Sequence, residues 1–108
     1  MSKIDLLQGT LDMLVLKAIS RGPMHGYGVT RWIQHTSADA LQVEEGSLYP
    51  ALYRMEKRGW ITSEEGISEN NRKAKYYKLT RVGRKQLESE SSDWDRLTEA
   101  IAKVMQTA

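Results

Sequence analysis

The chain has 108 residues, 40% of them hydrophobic and 28% charged, with 16 basic against 14 acidic side chains and a net charge of +2. That length fits one domain with one core and excludes a two-domain enzyme. The apolar content excludes a disordered chain, and no stretch approaches the roughly 20 apolar residues of a membrane span. Without cysteine there is no disulfide, thiolate nucleophile or Cys-ligated zinc. Met1-Ser2-Lys3-Ile4-Asp5 lacks the charged, apolar and small-residue blocks of an export signal, so the expected location is the cytoplasm. Charge is spread unevenly. Residues 61–87 carry seven basic against three acidic side chains, whereas residues 88–108 carry two against five. A polyanion is drawn to the first region and repelled by the second.

The first helix is expected to start at Thr10, acting as N-cap, with Asp12 in the first turn beside the positive helix end. Leu11, Leu14, Val15, Ala18 and Ile19 keep helical spacing, Met13 and Leu16 widen the apolar arc, and Gly22-Pro23 ends the helix. A second helix runs from His25 or Gly26 to about Ser37, with Val29 and Ile33 one turn apart and Trp32 beside them. Its Gly26-Tyr27-Gly28 reads as close backbone packing rather than a phosphate loop, because no strand precedes it and the third glycine of that fingerprint is missing.

The third helix is expected to be capped by Ser47, to hold Pro50 in its first turn and to end at Gly59. Leu48, Ala51, Leu52 and Met55 form its apolar face, while Tyr49, Pro50, Tyr53, Arg54, Lys57 and Arg58 occupy the other side. Two extended runs, Trp60–Glu65 and Lys73–Thr80, flank a polar stretch containing Gly66 and Asn70-Asn71, the pattern of a hairpin. The returning strand sets Ala74, Tyr76 and Lys78 on one side and Lys75, Tyr77 and Leu79 on the other. Thr80 then caps a last helix reaching about Met105, on which Trp94, Leu97, Ile101 and Val104 form the seam of a helix that packs along another helix.

Three helices followed by a basic hairpin make a mainly α fold with a small β-hairpin: a winged helix-turn-helix over residues 1–80, joined in one compact unit to a carboxy-terminal helix over 81–108. In that arrangement the third helix enters a major groove of double-stranded DNA and the hairpin touches the adjacent backbone or minor groove. Ser47, Tyr49 and Pro50, near the helix start, are the expected groove contacts. Arg54 is expected on a phosphate or base edge, and Tyr53 can bond a phosphate or meet a thymine methyl. Lys57 and Arg58 suit the helix end without any ligand.

The strings LQGTLDMLVLKAI from Leu7, GPMHGYGV, GSLYPALYRMEKRGWI and KYYKLTRVGRKQL, in this order and spacing, resemble the PadR family of bacterial transcriptional regulators over nearly the whole chain. The resemblance implies a homodimeric repressor whose carboxy-terminal helix builds the dimer, and the short subfamily with a single such helix is the better match. It also implies that Tyr49 reads DNA from the recognition helix, that His25, Gly26 and Tyr27 meet the backbone, and that Lys73 and Lys75 belong to a basic wing. Here the wing reads Arg72-Lys73-Ala74-Lys75 where many relatives have consecutive arginines, and lysine is the less directional donor. Trp94 is expected to anchor the dimer interface with Leu97, Ile101 and Val104. Its two copies could also frame a slot for a small aromatic or hydrophobic effector, as the resemblance implies.

Tyr76 and Tyr77 are expected to cover the core under the wing. His25 and His35 have no carboxylate or cysteine at ligand spacing, so no metal site is expected, and no catalytic constellation or cofactor motif is visible. The expected function is that of a sequence-specific regulator, a ligand-responsive repressor on a pseudo-palindromic operator. The alternative is a winged-helix protein-interaction module that does not touch DNA.

Overall fold

The computed structural model describes residues 8–108. Met1–Asp5, read above for an export signal, and Leu7, which opens the first motif, lie outside the described residues. The elements are α1 (Gln8–Ser20), β1 (Met24–His25), α2 (Gly26–Thr36), α3 (Glu45–Lys57), β2 (Ile61–Ile67), β3 (Lys73–Leu79) and α4 (Arg81–Met105). The three strands form an antiparallel sheet in the order β1-β3-β2. The β2/β3 hairpin is in register from Ile61 opposite Leu79 to Ile67 opposite Lys73, and β1 adds Met24 opposite Tyr77 and His25 opposite Tyr76. Two residues are too few to carry a period, which is why β1 is not legible in the sequence.

The core is built where α1, with its wide apolar arc, is enclosed by the other elements. Leu11, Val15, Leu16, Ala18 and Ile19 meet Val29 and Ile33 of α2, Leu48, Ala51, Leu52 and Met55 of α3, and Ile61 and Tyr77 of the sheet. Each fully buried Leu, Ile or Val in this set contributes about 1.5 to 3 kcal/mol relative to exposure. The alternation read for β3 holds: Tyr77 is in the core, while Tyr76 lies on the opposite face, its ring over Gly66 and its hydroxyl donating to the Ile67 carbonyl at 3.0 Å. Tyr76 therefore braces the wing and does not cover the core.

The helix ends correct several expectations. Thr10 lies inside α1, and Asp12 is not in a solvated first turn but buried, bonded across the core to Arg54. Ser47 does not cap α3. The helix begins at Glu45 with Glu44 as N-cap, which offers no side-chain bond, and the Glu44 carbonyl accepts from both Ser47 N–H and Leu48 N–H. The Glu45 carboxylate in the first turn supplies dipole compensation in its place. Pro50 consequently sits in the second turn. The carbonyl deprived of its partner there is that of Gly46, an exposed residue, so water can replace the missing N–H.

At the other end of α3, Gly59 N–H bonds the Glu56 carbonyl and Trp60 N–H the Met55 carbonyl, a Schellman closure that turns the chain into β2. Thr80 caps α4 as expected, its hydroxyl oxygen accepting from Gly83 N–H at 3.0 Å. That hydroxyl also donates toward the Gly59 and Trp60 carbonyls. Gly83 is buried against this junction, and a Cβ there would lie 2.0 Å from the Trp60 carbonyl oxygen. The first turn of α4 can therefore dock on the α3/β2 corner only with glycine at this position.

Candidate nucleic-acid interface

β1, α2, α3 and the wing enclose an open cleft of about 1000 Å³. Its geometry starts at His25. As N-cap of α2, the imidazole accepts Gly28 N–H on Nδ1 at 2.9 Å, which leaves the ring hydrogen on Nε2. The ring stands edge-on to Tyr76 of β3, with centroids 5.3 Å apart, and is stacked with Tyr27 at 6.4 Å. Tyr27 is exposed, and its hydroxyl accepts from the Arg31 guanidinium at 3.0 Å one turn along α2. Opposite them the wing contributes Arg72, Lys73 and Lys75, so the lining holds four basic side chains against the single acid Glu69. The floor is aromatic: Tyr49 from α3 and the buried Tyr77, whose hydroxyl is pushed above its ordinary acid constant mainly by burial.

The structure thus gathers seven of the expected contact residues, His25, Gly26, Tyr27, Tyr49, Arg72, Lys73 and Lys75, around one concavity. Gly26 shows the close packing read from its Gly-Tyr-Gly string. It is buried, and a Cβ on it would meet the Tyr49 ring at 2.9 to 3.1 Å. The first residue of α2 is the seat on which Tyr49 rests. Ser47, Pro50 and Tyr53 are exposed on the neighbouring face of α3, with Tyr53 62% accessible and the Lys57 ammonium 5.3 Å above its ring. Arg54 is the member that departs from the outer face: its guanidinium is turned inward onto Asp12 at 2.9 Å. Arg31 was missed by sequence reasoning, although its place four residues after Tyr27 on one helix face is a readable signal.

Beyond this head, the second half of α4 stands free. Trp94, Leu97, Ile101 and Val104 are 40, 52, 50 and 71% accessible, and nothing among the described residues covers them. No helix among the described residues is long and apolar enough to cross a membrane. Those residues also hold no group of three or more His, Asp or Glu placed to bind a metal ion.

The helix trio, the wing and the basic cleft between them define a winged helix-turn-helix protein. Residues 15–89 match the family described as "Transcriptional regulator PadR-like family", and the chain belongs to that family of transcriptional regulators. It is similar in structure to a transcriptional regulator from Clostridium thermocellum, with a TM-score of 0.81 and 28% identity over 89% of this chain and 93% of that one. It is similar also to a PadR-like transcriptional regulator from Bacillus cereus, with a TM-score of 0.80 and 30% identity over 94% and 97% of the two chains. A Lysinibacillus sphaericus protein called protein X is 28% identical over 106 residues, 98% of this chain and 97% of its own.

Proposed function

We propose that the protein is a sequence-specific, ligand-responsive repressor that binds a pseudo-palindromic operator as a homodimer. The observation that carries this reading is the convergence of Tyr49, the α2 start and the basic wing on one cleft, with four cations against one acid. The α3 start, with Tyr49, Pro50 and Ser47, enters a major groove. His25 Nε2–H, Tyr27 and Arg31 take the sugar-phosphate edge on one side, and Arg72, Lys73 and Lys75 take it on the other. Residues 1–80 act as the DNA-binding unit and residues 81–108 as the dimerisation helix. The bare seam of α4 pairs with a second copy and sets two α3 helices about 34 to 36 Å apart, one turn of the duplex. A small aromatic or hydrophobic effector between the two Trp94 rings would act through its differential affinity for the DNA-competent and incompetent arrangements.

The test is retention of duplex fragments in a gel shift across a salt series. For about eight neutralised phosphates per dimer, log affinity falls against log salt with a slope near -7, at roughly 0.9 per phosphate. Tyr49→Ala removes the shift while sedimentation still reports the dimer. A flat salt dependence, or a Tyr49→Ala protein that shifts DNA like the wild type, would favour a protein-interaction module instead.

A further inference from the structure

Among the described residues Asp12 is the one buried charged side chain, 4% accessible, and its pair with Arg54 is the one ion pair that joins two different elements. Its partner lies 42 residues away, on the recognition helix. Burial pushes the Asp12 carboxyl above its ordinary acid constant although Arg54 pulls the other way, so desolvation outweighs the attraction. The pair is therefore not explained as a source of stability, since replacing both members of a buried ion pair by well-packed apolar groups is often neutral, whereas removing one strands the other.

What the pair supplies is direction. α3 is otherwise held by the apolar contacts of Leu48, Ala51, Leu52 and Met55 and by the seat of Tyr49 on Gly26, which resist separation more than a small slide or rotation. One directed bond joins it to the sheet, from Ser63 Oγ to the Glu56 carboxylate at 2.7 Å, and Asp12–Arg54 is the directed bond to α1. A guanidinium bonded to a fixed carboxylate limits both slide and rotation. The same junction also receives Arg58 from α3 and Glu90 from α4, each within electrostatic reach of Asp12 or of the other, and Gln86 of α4 donates to Glu90 at 3.2 Å. Arg54 Nε–H and Glu90 Oε2 are buried there without partners. Asp12 thus sits where the helix that would read DNA meets the helix that would dimerise.

We propose that Asp12 is a positioning residue for the recognition helix, acting through Arg54 to set the angle and depth at which α3 presents Tyr49, and that Arg54 serves this clamp and not a phosphate. The proposal rests on the DNA-binding reading above, and the two ideas about Arg54 predict opposite signs. If Arg54 reached for DNA, removing Asp12 would free a cation and delete an anion, and binding would tighten. If Asp12 positions α3, its removal weakens binding.

The experiment uses the full chain as wild type, Asp12→Asn, Arg54→Gln and the double variant at neutral pH. Amide hydrogen exchange of α3 is followed without DNA, and affinity across salt is measured for a duplex selected from random sequence by the wild type. Each single substitution is expected to speed exchange across Leu48 to Met55 and to lower affinity roughly tenfold, a coupling of ordinary size for groups in contact. The salt slope stays unchanged, because no phosphate contact is lost. The double variant, in which two amides can bond each other, recovers most of the affinity. Arg54→Lys keeps the charge and can make the single N–H bond that Arg54 makes to Asp12, so it loses less than Arg54→Gln. An Asp12→Asn protein that binds as tightly as the wild type, a salt slope reduced by about 0.9 per protomer in Arg54→Gln, or unchanged exchange in α3 overturns the clamp. If the wild type selects no duplex, the functional reading fails and the exchange measurement alone decides the clamp.

Discussion

The head of the molecule and the far half of α4 use the same kind of apolar residues to opposite ends. In the head, α1 is so evenly apolar that it has to be wrapped, and α2, α3 and the sheet wrap it until Val15, Leu16, Leu48 and Met55 are fully buried. In α4, Trp94, Leu97, Ile101 and Val104 repeat with equal regularity yet remain open to water, along a stretch where every residue after Glu90 is exposed. Periodicity says that a helix has something to cover; only the fold says whether its own chain does the covering. A regular apolar seam left bare among the described residues is what the proposed dimer would cover.

The sharpest way to break the comparison is at the joint between the two regions. Gly83→Ala drives a Cβ into the Trp60 carbonyl and forces α4 off the α3/β2 corner. A loss of about 3 kcal/mol or more is expected, as for severe overpacking against backbone, read as a lowered midpoint in urea. Next, Leu97→Asp with Ile101→Asp places charge on the bare seam and leaves the head core untouched. Sedimentation should then report a monomer with native helical signal, and operator affinity should fall at least about a hundredfold as one half-site is lost, of the order of a few kcal/mol.

A smaller effect sharpens the contrast within the head. α2 ends in the same double closure as α3, with Ala38 N–H on the His35 carbonyl and Asp39 N–H on the Gln34 carbonyl, but Ala38 occupies the left-handed position at φ 52° where α3 has glycine. Ala38→Gly should stabilise the protein by about 1 kcal/mol in thermal melts, by removing that Cβ strain. The least change is expected at Glu90, where burial raises the carboxyl above its ordinary acid constant. The native state then holds this proton more tightly than the unfolded chain, so Glu90 costs stability as pH rises from the ordinary carboxylate range through its raised value. Glu90→Gln should flatten that part of the stability profile while leaving the profile below the ordinary range unchanged.

What the sequence made legible follows from the range of the signal. The helices, the hairpin, the Thr80 cap and the α4 seam are local patterns with a period or a turn behind them, and they stand where expected within a residue or two, except that α3 starts three residues early. The wing cations and Tyr49 could be placed together because the order of the elements dictates a winged topology. Three things had no local signal. β1 exists only because β3 is there to pair with it. The close packing of Gly26 is readable, but not that Tyr49 of another helix is what rests on it. The inward turn of Arg54 depends on a carboxylate on another helix, and on its own helix it reads as one more outward cation. The start of α3 was misjudged because Ser47 is the better capping residue by type, while Glu44 and Glu45 make the first turn without a side-chain cap.

The two residues of β1 have an effect out of proportion to their length. Because His25 pairs with Tyr76 in the sheet and also opens α2, the wing and the helix start are fastened to one another. Their separation behaves like the gap of a set calliper. In the proposed binding mode a duplex would be selected by the spacing of its two backbone rails as well as by its bases, so runs that narrow or widen a groove would count toward recognition even where no side chain touches them.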